Sequence, residues 1–126
     1  MEKLLSLVVP AFNEEEAMEQ SFERTYRAMS SIGYPFEIIY IDDGSRDRTW
    51  EIISRLAREH EEVKALRFSR NFGHQLAVTA GMDEAKGDAV IIMDADYILI
   101  RIILCLNIYF PFAFLFSLLL SAFLFS

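Results

Sequence analysis

The chain of 126 residues contains a single cysteine, Cys105. Because Cys105 has no partner in the chain, an intrachain disulfide framework is excluded, which fits a reducing cytosolic environment for the polar part. The first residues form a short apolar run soon followed by acidic residues, so we expect no secretory signal there. Internal repeats and flexible linkers are also lacking, and the composition changes sharply after Tyr97. The sequence therefore divides into two unlike parts.

Basic residues are scarce: the chain has 12 lysines and arginines against 19 aspartates and glutamates. All of these charged residues except Arg101 lie in residues 1–97. This part has 11 basic and 19 acidic residues and therefore a formal charge of −8. An acidic domain is a poor partner for nucleic acid, so we expect none. An anionic nucleotide would need local compensation from a divalent cation or from nearby arginines. The candidate arginines are Arg46, Arg48, Arg67 and Arg70.

Formal charge is absent from residues 102–126, which are mostly Leu, Phe and Ile. About 20 such residues span a bilayer as a helix. We therefore expect residues 98–126 to be a hydrophobic tail with a transmembrane helix, which places the protein at the cell membrane. Arg101 and the charged domain before it predict that the N-terminal domain is cytoplasmic. A buried helix, or a tail that does not fold, is the alternative. The membrane helix is favoured because a core helix normally has a polar face.

Four short apolar runs predict β-strands, and three patterns between them predict helices. Asn13 and Ser45 are expected to cap the first two helices. The alternation predicts an α/β fold with right-handed crossovers, a parallel sheet and flanking helices. Ligands of such sheets bind beyond the carboxyl ends of the strands, so the residues that follow each strand are site candidates. The strands are expected at residues 4–10, 36–41, 63–68 and 89–93, and the helices at residues 14–31, 47–61 and 75–85.

Paired carboxylates follow two of the predicted strands. Asp42 and Asp43 follow the second strand, and Asp94 and Asp96 follow the fourth. Adjacent carboxylates repel each other unless donors or a cation offset the charge, so the first pair suggests a ligand; a solvated acidic turn is the alternative. Mg²⁺ takes carboxylate oxygens together with substrate phosphates. Asp94 and Asp96 are therefore the predicted catalytic and metal-binding residues, with Asp96 the better metal ligand and Asp94 the better sugar contact.

The turn after the first strand predicts one wall of a base pocket. Pro10 removes a backbone donor there, and Ala11, Asn13 and Glu14 follow it. Alternatively, Asn13 and residues 14–16 only satisfy the start of a helix.

The turn after the third strand contains Arg70, Asn71, Gly73 and His74. Arg70 is expected to meet a phosphate. His74 acts either as a hydrogen-bond donor or base toward a ligand, or as a cap of the next helix. We favour the cap. Together with the other turns, this segment completes the predicted binding surface.

The motifs, in this order, resemble those of the family 2 glycosyltransferases. Among these, the closest resemblance is to the polyprenyl-phosphate type, which includes dolichol-phosphate mannose synthases and bactoprenol glucosyltransferases. The resemblance covers about residues 3 to 96 and lies in residues 8–15, 42–47, 70–73, 80–81 and 94–96.

The resemblance implies a Rossmann-like glycosyltransferase A-type half and inverting transfer from a nucleoside-diphosphate sugar, with Mg²⁺ or Mn²⁺ as cofactor. A polyprenyl phosphate is the implied acceptor. It also implies a role for particular residues. Asp96 would hold the metal, and the nucleotide pocket would be lined by Pro10, Ala11, Glu14, Asp42 and Asp94.

The resemblance stops after Asp96. Relatives continue into a Leu-Gln-Asp-Pro-Pro-like segment and an acceptor-binding half, whereas here residues 97–101 begin the apolar tail. We therefore expect residues 1–97 to be the nucleotide-sugar-binding part of a truncated glycosyltransferase domain, with the acceptor half missing. The tail is either a genuine membrane segment or the product of a truncated or frame-shifted reading.

Two other functions are compatible with the pattern. One is a non-catalytic, membrane-anchored nucleotide-binding remnant. The other is a phospho-receiver signalling domain, which also gathers carboxylates and Mg²⁺ at strand ends. A receiver fits less well, because its acidic pair would follow the first strand and a lysine would follow a later one.

Overall fold

The computed structural model describes residues 3–95, together with the backbone of residues 100–103. Strands and helices alternate along the chain until the last two elements, which are both strands. The elements are β1 (Leu5–Ala11), α1 (Met18–Ile32), β2 (Phe36–Asp42), α2 (Thr49–Glu59), β3 (Val63–Arg67), α3 (His74–Glu84), β4 (Ala89–Met93) and β5 (Ile100–Ile103). The four strands and three helices predicted between residues 4 and 93 are therefore present, with ends that differ by a few residues.

The sheet has the strand order β3-β2-β1-β4-β5. β1 pairs in parallel with β2 and β4, and β2 pairs in parallel with β3. The predicted α/β fold with a parallel four-strand sheet and flanking helices is confirmed. The chain moves outward from β1 to β3 and then returns to the other side of β1 for β4. The strand order reverses between β1 and β4, which is where open α/β sheets bind ligands.

Both faces of the sheet are covered. On one face, Leu7 and Val9 of β1 belong to a cluster with Phe22 of α1 and Ile53 of α2. On the other face, Val8, Ile39, Ile41, Val90 and Ile92 pack with Ala77 of α3. Burial on both faces explains why the strands are continuous apolar runs rather than alternating ones.

Small residues let α3 approach the sheet closely. A Cβ atom on Gly81 would lie 2.4 Å from Cγ1 of Val8 and 2.6 Å from Cδ1 of Ile41. Gly81 therefore serves the close packing of α3 on the sheet.

The predicted helix caps are wrong. α1 begins at Met18 rather than directly after Asn13, and α2 begins at Thr49; neither helix has a side-chain cap at its N-cap residue. Asn13 instead has a left-handed backbone, with φ of 52°. Asparagine tolerates this conformation because its short polar side chain bonds locally. Asn13 and Ser45 use their side chains to join two loops, as described below.

The part of the predicted tail that the structure describes forms a strand and not a transmembrane helix. Residues 100–103 form β5, which pairs antiparallel with β4 from Ile100 opposite Met93 to Ile103 opposite Val90. The outer edge of β4 offers unpaired backbone groups, and a stretch with three isoleucines has a high β-propensity. Within residues 3–95 and 100–103, no helix combines the length and apolar character needed to cross a membrane. Residues 104–126 lie outside the described residues, as does Asp96.

Candidate functional site

A cavity of about 260 Å³ lies at the carboxyl ends of β1 and β4. It occupies the place where the strand order reverses, so the topology and the cavity indicate the same site. Ten residues line it: Pro10, Ala11, Phe12, Glu14, Asp43, Asn71, Gly73, His74, Asp94 and Ala95. Most of the residues predicted from the sequence are therefore brought together, from four separate turns.

Three predicted substrate-binding residues are not among those that line the cavity: Asn13, Asp42 and Arg70. Asn13 lines a neighbouring depression with Asp47. Asp42 is fully buried at the end of β2. The guanidinium of Arg70 lies 4.7 Å from the centre of the Phe72 ring, a cation–π contact at an exposed position.

Asp43 fixes the turn that follows β3. Its Oδ1 accepts a hydrogen bond from the Phe72 N–H at 2.8 Å, and its Oδ2 accepts one from the Gly73 N–H at 3.1 Å. The next residue, Gly44, has φ of +73°, and a Cβ atom there would lie 2.3 Å from the backbone carbon of Arg70. Backbone donors thus offset the charge of Asp43, and the close approach at Gly44 requires glycine.

Asp42 is buried but only partly satisfied. Its Oδ1 accepts a hydrogen bond from the Ser45 N–H at 3.2 Å, whereas its Oδ2 is buried without a hydrogen-bond partner. The nearest cation is Nε of Arg67, 3.8 Å from Oδ2, on a half-exposed side chain that also lies over the Trp50 ring. A buried carboxylate oxygen without a hydrogen-bond donor is costly, so it calls for an explanation such as a catalytic role, a bound ion or a water molecule.

Asp94 is an accessible carboxylate of the cavity. Its side chain is 35% exposed, and its Oδ1 lies 3.9 Å from Nδ1 of His74. His74 is the first residue of α3, and the N-cap residue is Gly73, with no side-chain cap, so the predicted cap is wrong. The His74 side chain instead lines the same cavity as Asp94. The ligand contact of His74 was not favoured from the sequence, although its position directly after the Gly73 turn is the signal that indicates it.

The donor set fits a divalent ion that a nucleotide brings with it. Among the residues whose side chains the structure describes, no group of three or more His, Cys, Asp or Glu side chains could hold a metal alone. Mg²⁺ at nucleotide sites usually takes one or two carboxylates and completes its shell with phosphates and water. Asp94 supplies one such carboxylate in the cavity, and Asp96 lies outside the described residues.

The loops after β1 and β2 are joined by hydrogen bonds between side chains and backbone. The Asn13 N–H donates to Oγ of Ser45 at 2.9 Å, and the Arg46 N–H donates to Oδ1 of Asn13 at 3.0 Å. The Glu14 N–H donates to Oγ1 of Thr49 at 2.8 Å. Asn13 therefore contributes to the shape of the cavity wall through its bonds rather than by lining it.

Asp47 adds further hydrogen bonds between the loops after β1 and β2. Its Oδ2 accepts from the Glu15 N–H at 3.2 Å, and its Oδ1 accepts from both the N–H and the hydroxyl of Thr49. Partial burial acts to raise the pKa of Asp47, but the hydrogen bonds from Thr49 and Glu15 outweigh it, so the pKa lies below its usual value. Asp47 and Thr49 were not predicted from the sequence as contributors to the site.

A second cavity, of about 670 Å³, lies between α1 and α2. Phe22, Tyr26, Leu56 and His60 contribute its apolar lining, and its charged side chains include Arg55, which pairs with Glu19 and Glu59. No strand-end carboxylate lines it. The cavity at the sheet end is therefore the better candidate site.

The fold and the cavity together define an α/β domain with its ligand site at the switch point of a parallel sheet. The sequence profile of glycosyl transferase family 2 matches residues 6–101. The match covers well over half of the chain. The chain belongs to glycosyltransferase family 2.

This chain is similar to parts of two longer proteins. The uncharacterized glycosyltransferase YkcC of Bacillus subtilis is 43% identical over 91 residues, which are 72% of this chain and 28% of YkcC. The undecaprenyl-phosphate 4-deoxy-4-formamido-L-arabinose transferase of Pectobacterium atrosepticum is 44% identical over 95 residues, which are 75% of this chain and 29% of that enzyme. The chain therefore spans less than a third of the length of these relatives.

Two similar structures have the same fold. The mannosyltransferase PcManGT of Pyrobaculum calidifontis, in complex with GDP-Man and Mn²⁺, superposes with a TM-score of 0.64 at 25% identity, over 75% of this chain and 28% of that one. S. aureus TarS residues 1–349, in complex with UDP, gives a TM-score of 0.63 at 23% identity, over 73% of this chain and 27% of that one. The described region is thus glycosyltransferase A-like.

Proposed function

We propose that this chain binds a nucleoside-diphosphate sugar in the sheet-end cavity, as the donor side of sugar transfer to a polyprenyl phosphate. The observation that carries the proposal is the position of Asp94, an accessible carboxylate in a cavity at the switch point of the sheet. The similar undecaprenyl-phosphate transferase supports the lipid acceptor. PcManGT, crystallised with GDP-Man and Mn²⁺, supports the donor class and the metal.

The base and ribose are assigned to the side of the cavity next to β1 and β2. Pro10, Ala11 and Glu14 line it from the turn after β1, and Asn71 and Gly73 line it from the turn after β3. Oδ2 of Asp42 has the Arg67 guanidinium 3.8 Å away but no hydrogen-bond donor. It is a suitable acceptor for an N–H of uracil or guanine, because a carboxylate oxygen without a donor gains the most from acquiring one. Uracil and guanine both present such an N–H group.

The diphosphate and the metal are assigned to the end of β4. Asp94, with Asp96 next along the chain, would hold Mg²⁺ or Mn²⁺ between the carboxylates and the phosphates. When bound, the ion would neutralise charge on the departing diphosphate. His74, at the same wall, is placed to donate to an oxygen of the ligand.

The proposed chemistry is an inverting displacement at the anomeric carbon by an acceptor oxygen. A lipid phosphate is already anionic at neutral pH, so the reaction needs no strong general base on the acceptor. The residues described here supply the donor side: they bind the nucleotide, orient the sugar and hold charge near the leaving group. Residues 1–97 are accordingly proposed as the nucleotide-sugar-binding part. Residues 98–126 are proposed as a hydrophobic tail, and the part of it beyond β5 is proposed to place the chain at the cytoplasmic face of the cell membrane.

Calorimetric titration with GDP- and UDP-sugars, with and without Mn²⁺, tests this function. We expect binding that depends on Mn²⁺ and that Asp94→Asn weakens on the order of tenfold or more, because it removes a charged ligand. Asp83→Asn is the matched control, since Asp83 is exposed on α3 away from the cavity. Absence of Mn²⁺-dependent binding, or equal loss in both variants, would contradict the proposal.

A transfer assay with polyprenyl phosphate separates an enzyme from a binding remnant. Mn²⁺-dependent binding together with transfer favours the enzyme. Binding without transfer favours the non-catalytic alternative, in which the donor site is retained and the acceptor side is lacking.

A further inference from the structure

We infer that Thr49 and Asp47 are positioning residues of the donor pocket, which hold the backbone of Glu14 and Glu15 in place without touching the ligand. The inference rests on the proposed function, because it assigns a role in nucleotide binding. Neither Thr49 nor Asp47 lines the sheet-end cavity, whereas Glu14 does. Their effect on a ligand would therefore pass through the loop that carries Glu14.

The hydroxyl of Thr49 makes a directed pair of bonds. It accepts from the Glu14 N–H at 2.8 Å and donates to Oδ1 of Asp47. A hydroxyl has one proton, so Asp47 fixes the hydroxyl with its lone pairs toward Glu14. Thr49 is fully buried, which protects both bonds from competition with water.

The hydrogen bond between Glu14 and Thr49 connects the starts of two helices. The Glu14 carbonyl accepts from the N–H groups of Ala17 and Met18, so Glu14 forms the first turn before α1. Thr49 is the first residue of α2. The bond between Glu14 and Thr49 therefore links the two helix starts directly, beside the cavity.

The loop has few other constraints from regular structure. β1 ends at Ala11 and α1 begins at Met18, so residues 12–17 depend on local bonds for their shape. Asn13 there has a left-handed backbone, a conformation that is maintained only when surrounding contacts favour it. Two neighbouring contacts come from the β2–α2 loop: Oγ of Ser45, which accepts from Asn13, and Oδ2 of Asp47, which accepts from Glu15.

Thr49→Val tests the inference, because valine keeps the volume and removes the hydroxyl. Thr25→Val is the matched control: Thr25 is also fully buried, in α1, but its hydroxyl has no hydrogen-bond partner. Thr49→Ser restores the hydroxyl. Each variant is measured by amide hydrogen exchange of residues 13–15 and by Mn²⁺-dependent titration with GDP- and UDP-sugars.

We expect Thr49→Val to speed exchange of the amides of residues 13–15 and to weaken nucleotide binding, each about fivefold, since one hydrogen bond is lost. Thr49→Ser should recover most of both, and Thr25→Val should change neither. If Thr49→Val and Thr25→Val behave alike, or if exchange rises while affinity stays the same, the positioning role is wrong.

Asp47→Asn keeps the inference testable if Thr49→Val does not fold, because Asp47 is only half-buried. It should speed exchange at Glu14 and Glu15 in the same way. If the wild-type chain binds no nucleotide, the proposed function fails separately. Faster exchange in the variants would then still support the positioning of the loop by Thr49, and unchanged exchange would overturn it.

Discussion

Glu37 at one end of the sheet and Asp42 at the other are both buried carboxylates, but their oxygens are satisfied differently. At the N-terminal ends of the strands, Glu37 accepts hydrogen bonds from the Ser6 hydroxyl at 2.6 Å and the Lys86 N–H at 2.7 Å, and pairs with Nζ of Lys64 at 2.8 Å. At the C-terminal ends, Asp42 has one backbone donor, and its second oxygen has none. At the N-terminal end of the sheet, here called the closed end, both oxygens of Glu37 have partners. At the C-terminal end, here called the open end, one oxygen of Asp42 has no hydrogen-bond donor.

This difference separates a structural carboxylate from one available to a ligand. Ser6 and Glu37 are opposite each other in the β1–β2 register, and the Ser6 hydroxyl also accepts from the Gly87 N–H at 2.8 Å. The network therefore joins β1, β2 and the turn before β4. Burial alone does not identify a binding residue, because Glu37 and Asp42 are both buried; the number of satisfied oxygens distinguishes them.

The largest effect on stability is expected for Glu37→Gln. The amide oxygen can still accept from Ser6 and Lys86, but the amide NH₂ group would face Nζ of Lys64, which is also a donor. We expect a loss of about 2 kcal/mol in the free energy of unfolding at pH 7. Urea unfolding of the wild type and of Glu37→Gln measures this loss. The nucleotide affinity of the folded variant should stay unchanged.

The same variant gives a pH dependence. Burial acts to raise the pKa of Glu37, but the bonds from Lys64, Lys86 and Ser6 outweigh it, so the folded-state pKa lies below the usual 4.5. A depressed pKa contributes stability above the unfolded-state value, and this is lost as the pH falls through the folded-state pKa. The difference between wild type and Glu37→Gln should therefore shrink below about pH 4.5. A constant difference would contradict this account.

A smaller effect is expected for Lys64→Met, which keeps the apolar stem and removes the charge. The Lys64 side chain is 35% exposed, so water and salt weaken its pair with Glu37. We expect a loss of about 1 kcal/mol, reduced further at high salt. A loss as large as that of Glu37→Gln would show that the ion pair, rather than the whole set of bonds, stabilises this end of the sheet.

The sequence predicted the fold and most of the cavity because both follow from short-range patterns. Apolar runs and the turns after them fixed where the strands end, and parallel strands bring those ends together. This brought Pro10, Ala11, Glu14, Asp43, Asn71, Gly73 and Asp94 to the cavity. Asp96 stays a prediction, because it lies outside the described residues.

What the sequence did not predict are the bonds between loops. Asn13 and Ser45 have the composition of helix caps, and nothing local indicates that they bond to each other's loop at a separation of 32 residues. The same holds for Thr49 and Asp47, whose partners lie after a different strand. β5 was missed because an apolar run alone does not distinguish a membrane helix from a strand at a sheet edge.

The smallest effect on stability is expected for Asp42→Asn, the counterpart of Glu37→Gln at the open end. It removes a buried charge that has a single hydrogen bond and a distant, half-exposed arginine, so the free energy of unfolding should change by less than about 1 kcal/mol and is expected to rise. Affinity for the nucleotide should fall on the order of tenfold, because the carboxylate acceptor for the base is lost. Urea unfolding and calorimetry measure the two quantities. If Asp42→Asn destabilises the fold as much as Glu37→Gln and leaves affinity unchanged, Asp42 is structural and the two ends of the sheet are alike.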